Sequence, residues 1–155
     1  MEKLNLELVK AGFANGVADG RPLTEEEKQI MIADAEKAFG QFLDALKVNW
    51  KEDPNSDKTP YRVAKAYVND LWAGRYEAPP SITTFPSDGY DGMVFEGGIP
   101  LTSMCSHHHQ TIMGKVHVAY IPGADSQVIG LSKLNRLVEH FARRGAIQEQ
   151  LTVAI

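Results

Sequence analysis

Cysteine is nearly absent from this chain: Cys105 is the only one, so no intrachain disulfide can staple it and a reducing cytoplasm is the expected setting. Long apolar runs are missing too. None approaches the roughly 20 residues that span a bilayer, and the first residues lack a secretory apolar core, so neither a membrane partner nor export is expected. Basic charge is in deficit, with 16 Lys and Arg against 20 Asp and Glu and a net charge of -4. That balance argues against general nucleic-acid binding, so any anion site must be a local basic pocket. What remains is an ordinary soluble composition, 43% apolar and 23% charged over 155 residues, enough for one domain with a real core.

The most informative stretch is Leu101-Thr102-Ser103-Met104-Cys105-Ser106-His107-His108-His109. Cys105 and His108 have the Cys-x-x-His spacing of half a metal site, and thiolate and imidazole both suit zinc. A catalytic zinc takes three protein ligands and a water, so two donors leave the set incomplete. On spacing alone, a half-site and a small buried cysteine stand level. The internal position of the histidine run argues against an expression tag.

Residues 1–22 read as an arm, with Leu4, Leu6, Leu8 and Val9 able to form a short helix before Gly12, Gly16, Gly20 and Pro22. A helix then starts at Thr24, with Glu27 completing a capping box. Met31, Ala35, Ala38, Phe39, Phe42 and Leu46 mark its apolar stripe to about Lys47, and Lys28 and Lys37 fall on the solvated side. Residues 49–58 are polar, with a turn at Pro54-Asn55. Thr59-Pro60 announces a second helix, a cap followed by proline, with Ala64, Tyr67, Val68 and Leu71 inward and Gly74 as its stop. Arg62, in its first turn, reads first as a surface charge. Residues 75–92 read as a long loop.

Strand-like segments follow at about 93–101 and 111–121, with the Cys/His cluster on their connection and His117 a facing side chain on the second. After a turn at residues 122–126 comes a helix capped by Ser132, with Leu134, Leu137, Val138 and Phe141 inward and Gly145 at its end. Ser132, Lys133 and Arg136 cluster at its entrance. Basic residues there oppose the helix dipole, a conflict that a phosphate would relieve. Arg143, Arg144 and His140 read as solvated or as partners of the C-terminal dipole. A last helix begins at Gln148-Glu149-Gln150 and stops without a cap, so a longer parent protein is expected.

Five ordered blocks resemble the GTP cyclohydrolase I family. They are Thr59-Pro60-Tyr61-Arg62-Val63-Ala64-Lys65, Leu101 to His108, Val118-Ala119-Tyr120-Ile121-Pro122, Ile129 to Arg136, and Gln148-Glu149-Gln150-Leu151-Thr152. The resemblance implies an α+β tunnelling fold (T-fold) over residues 59–155, preceded by an N-terminal helical extension over residues 1–58. It implies an antiparallel sheet with helices, homo-oligomers that reach a decamer, and active sites between subunits. The implied reaction opens the imidazole ring of GTP to give 7,8-dihydroneopterin triphosphate and formate, the entry to folate and pterin synthesis. Cys105 and His108 match two of the family's three zinc ligands, the zinc activating a water for attack on C8 of the purine. His107 matches the catalytic histidine, and a near-neutral pKa suits its proton transfers. Ser132, Lys133 and Arg136 match the triphosphate cradle. Arg62 resembles a phosphate-contacting arginine supplied by a neighbour, and Glu149 the carboxylate that anchors guanine.

Two departures stand out. Most members have glutamate where this chain has Ser106, which removes a charge beside the metal. The family's third zinc ligand is a cysteine on a later strand, with a second catalytic histidine two residues before it. This sequence reaches neither, so a C-terminally truncated member with the second half of the fold missing is expected. His109 is an extra imidazole, but sequence neighbours rarely all reach one tetrahedral ion. The competing reading is a non-catalytic GTP-binding or assembly subunit of the same fold. Related pterin synthases call for three zinc histidines, and nitrile reductases for a nucleophilic cysteine with nicotinamide. The Ser132-Lys133-Arg136 block favours a triphosphate instead.

Overall fold

The computed structural model describes residues 21–123 and 125–155. The arm expected over residues 1–22 lies outside them except for Arg21 and Pro22. The chain divides into two compact units, Met1–Glu77 and Ala78–Ile155, so the helix that starts at Thr59 belongs with the first. The architecture is α+β, with four α-helices and two antiparallel strand pairs among the described residues. No helix among them is long and apolar enough to cross a membrane.

In the first unit, α1 spans Glu25–Ala45 and carries the expected capping box. The Glu27 backbone N–H donates to Thr24 Oγ1 at 3.2 Å, and the Thr24 N–H donates back to Glu27 Oε2 at 2.8 Å. Arg21 grips the same carboxylate with both terminal nitrogens, at 2.7 and 2.6 Å. The Arg21 bonds and the Thr24 N–H hold the Glu27 carboxyl at about 2, well below its ordinary value. A depressed carboxylate stabilises the fold above its unfolded pKa and loses that contribution as pH falls through the folded value. We therefore expect the urea midpoint of this unit to fall between about pH 4.5 and pH 2. Glu27→Gln should shrink that slope without abolishing it, because Asp44 and Asp53 are lowered as well, by hydrogen bonds led by Lys51 and Ser56 respectively. An unchanged slope in Glu27→Gln would refute this assignment.

The second helix, α2, spans Thr59–Ala66. Its cap is Lys58, not Thr59: Lys58 makes no side-chain cap bond, and Thr59 is already helical, its N–H donating to Ser56 O at 2.9 Å. The preceding turn of residues 53–57, tied by Asp53 to Ser56 and Asn55, feeds straight into the helix. After Ala66 the chain widens into a π turn, Tyr67–Leu71, and a 3-10 turn, Ala73–Arg75. Ile32, Ala64 and Val68 form the core, flanked by Met31, Ala35 and Tyr76.

Two expectations for α1 need correction. Phe42 and Leu46 are exposed, at 54% and 58%. Gly40 lies against Trp50 and Pro60, where α2 begins. Since α2 then runs back toward Ile32, the last turns of α1 outrun it and their apolar side chains stay uncovered. Lys28 is buried rather than solvated, paired with Glu25 at 3.1 Å and Glu77 at 3.2 Å. Burial pushes its ammonium down, but the bonds to the two carboxylates together outweigh it and leave it above its ordinary value.

In the second unit, β1 (Thr84–Pro86) pairs with β4 (Gln127–Ile129), and β2 (Val94–Met104) pairs with β3 (Thr111–Tyr120). The β1–β4 ladder is a correction, since residues 75–92 read as loop. Three residues ending in proline are too short to show alternation, and proline belongs at a strand edge. The longer hairpin agrees with the alternation of Val116, Val118 and Tyr120. Gly97 and Gly98 form a bulge opposite His117, with Gly98 at φ +77, a region that suits glycine. The Gly98 N–H donates to His117 Nδ1 at 3.3 Å.

Two helices complete the unit: α3, Leu131–Ala142, and α4, Gln148–Ala154. Leu134, Val138 and Ala142 are the buried stripe of α3, with Ile99, Met104 and Leu151 also buried. Leu137 and Phe141 are only half-buried.

Candidate active site

The hairpin between β2 and β3 decides where the thiol and imidazoles stand. The strands stay paired to Met104 and Thr111, and the Cys105 N–H then donates to Gln110 O at 2.8 Å. The loop closes when the His109 N–H donates to Cys105 O at 3.0 Å, with His109 at φ +54. Histidine is among the non-glycine residues that enter this left-handed region most readily. Cys105 is therefore pinned at a strand end and half-buried, while Ser106, His107, His108 and His109 project on an exposed turn. The His107 and His108 rings stand 6.1 Å apart, centroid to centroid, edge to face.

A second tether brings distant sequence to this turn. Cys105 forms a parallel bridge with Ala146. The Ala146 N–H donates to Met104 O at 3.2 Å, and the Ser106 N–H donates to Ala146 O at 3.4 Å. Extended Ile147 then opens α4, so Glu149 lies in a first turn that starts beside the Cys105 strand end. The chain between Ala142 and Ala146 turns at Gly145, with φ +66.

The basic cluster lies elsewhere. Ser103 Oγ donates to Ala142 O at 2.6 Å, and Asn135 Nδ2 donates to Glu96 Oε1 at 2.8 Å. These two bonds make α3 run alongside β2 in the same direction. Ser132, Lys133 and Arg136 therefore sit at the Glu96 end of α3, and Cys105 sits beyond its Ala142 end. The helical rise from Ala142 back to Arg136 is about 9 Å and to Ser132 about 15 Å. Within the chain the structure groups Cys105, His107 and His108 with the Glu149 turn, and holds the basic cluster apart.

Gly130, not Ser132, is the cap of α3, and no side chain caps that helix. Ser132 enters the first turn instead, because the preceding strand pairs through Ile129 and the Gly130 N–H donates to Thr83 O at 3.1 Å. Arg62 is exposed in the first unit, its guanidinium on Asn55 O at 3.2 Å.

Cys105 and His108 fit zinc in donor type. They do not fit it in number, since no group of three His, Cys, Asp or Glu side chains that could hold a metal occurs among the described residues. Sequence reasoning passed over Glu96 and Asn135, which anchor the basic end of α3. The one available signal was a lone carboxylate among the apolar positions of a strand.

A long antiparallel hairpin with helices packed along it, a thiol and imidazoles at one end and a basic helix entrance at the other define an α+β protein. The chain belongs to the GTP cyclohydrolase I family, whose profile it matches over residues 35–155. It is 41% identical over 136 residues to GTP cyclohydrolase 1 of Mycolicibacterium paratuberculosis, covering 85% of this chain and 64% of the relative. It is 47% identical over 105 residues to that of Aeromonas salmonicida, covering 66% and 47%. With Aliivibrio fischeri GTP cyclohydrolase 1 it shares 37% over 150 residues, covering 96% and 66%. The chain thus spans about half to two thirds of the length of these relatives.

Proposed function

We propose that this chain contributes to a GTP cyclohydrolase I active site, where the imidazole ring of GTP is opened hydrolytically to 7,8-dihydroneopterin triphosphate and formate. The observation that carries the proposal is the family match, because residues 35–155 include every residue to which a role is given. Glu149 would accept hydrogen bonds from guanine N1–H and the exocyclic amine, an arrangement adenine cannot supply. Ser132, Lys133 and Arg136 would hold the triphosphate at the entrance of α3, joined by Arg62 of a neighbouring subunit. His107, exposed on the hairpin turn, would move a proton at the imidazole nitrogens. Cys105 and His108 would hold zinc with at least one further donor, and zinc bound there supplies Lewis acidity.

The separation along α3 favours a site shared between subunits. The guanine-side residues of one copy would face the basic helix entrance of another. We accordingly propose a homo-oligomer, a decamer of tunnelling folds as in the family, working in the cytoplasm at the head of folate or pterin synthesis.

The test is to incubate the purified chain with GTP and zinc, following formate and the fluorescence of the oxidised pterin product. Both products are expected at a low rate, impaired because Cys105 and His108 leave the zinc donor set incomplete. A second reading, a GTP-binding or assembly subunit without turnover, is favoured by the absence of a third metal donor among the described residues. Tight GTP binding with neither zinc nor formate would select it. In either case Glu149→Gln should weaken GTP relative to ATP by about tenfold or more, as expected for a charged hydrogen-bond acceptor, measured by competition binding.

A further inference from the structure

Glu96 is the only charged residue in β2, and its cross-strand partner is Val118. Directly opposed residues share a face, so this carboxylate is set beside an apolar side chain. Its Oε1 accepts the Asn135 amide at 2.8 Å, while Oε2 is shielded from solvent and has no hydrogen-bond partner among the described residues. A half-buried carboxylate with one shielded, unpartnered oxygen opposes stability, and a β-branched residue such as the nearby Val94 suits a strand position better. Local rules of this kind are broken most often where function requires it.

The consequence of Glu96 is the placement of Asn135. That residue lies between Lys133 and Arg136, and it is three positions from Ser132, which makes the two neighbours on one helix face. Among the described residues no side chain caps α3; Tyr120 Oη accepts the Ile129 N–H at 2.7 Å just ahead of the helix, and Ser103 holds Ala142 at its far end. Among the described residues the Glu96–Asn135 bond is the side-chain hydrogen bond that ties the first turns of α3 themselves to the sheet. We propose that Glu96 is a positioning residue: through Asn135 it fixes the first turns of α3 against the sheet, and so sets the affinity of Ser132, Lys133 and Arg136 for a triphosphate. The proposal rests on reading α3 as the triphosphate end of the site.

Positioning and simple repulsion predict opposite signs. A carboxylate that only repels the anion would, once removed, tighten binding; one that holds Asn135 would, once removed, loosen it. Binding of inorganic tripolyphosphate to the whole chain at low salt, by titration calorimetry, separates them. Glu96→Val and Asn135→Ala should each weaken binding about five- to tenfold, the effect of one lost hydrogen bond. The double variant should lose no more than either single one. Glu96→Gln keeps an acceptor for Asn135 and should bind close to the parent, while the melting temperature of Glu96→Val should not fall. Tighter binding by both Glu96 variants, unchanged binding by Glu96→Val, or full additivity in the double variant would each overturn the proposal. Failure of the parent chain itself to take up tripolyphosphate would instead overturn the reading of α3, and the proposal with it.

Discussion

Cys105→Ser should cut zinc affinity by more than about 100-fold, because it removes one of the two ligands proposed above, where loss of an outer-shell partner alone costs 10- to 100-fold. Formate release from GTP should fall with it. The serine is nearly isosteric, and the backbone bonds of Cys105 to Gln110 and His109 do not involve the side chain, so the fold should persist. His108→Ala should behave alike. His107→Ala should keep the metal yet lose about 10²- to 10⁴-fold in turnover, the usual loss when a proton-transfer group is removed. Metal content after dialysis, set beside turnover, separates a ligand from a proton carrier. Zinc retained by Cys105→Ser at the parent level would remove Cys105 from the metal site.

Ile32→Ala should destabilise the first unit by about 3 kcal/mol. Ile32 is 2% exposed and packs against Ala64 and Val68, none of which can expand into the space left. Leu46→Ala, on the same helix, should change stability by less than about 0.5 kcal/mol, because Leu46 is 58% exposed. Trp50 and Trp72 both lie in this unit, so urea unfolding followed by their fluorescence reads it directly. Equal losses for the two variants would mean that the end of α1 is covered in solution.

That contrast also marks how far sequence pattern reaches. Helical spacing places an apolar stripe on α1 but carries no information on how long its partner is, and α2 covers only part of the stripe. Lys28 shows the converse. Its charge marks it for solvent, yet Glu77, 49 residues away, offers a carboxylate that makes burial tolerable.

The candidate site divides along the same line. The Cys-x-x-His spacing, the basic helix entrance, the capping box and the alternation of β3 are local, set by residues within a turn or two of each other, and the sequence alone determined them. It also determined the family, through blocks whose order survives without any knowledge of their contacts. Only the tertiary structure decided what lies beside what. The Ala146 bridge brings the Glu149 turn to Cys105, and the Ser103 and Asn135 bonds lay α3 along β2 so that its basic end points away. Those pairings join residues about 40 positions apart, where no periodicity or propensity reaches, and they arise only when the sheet and helices bury their apolar faces together.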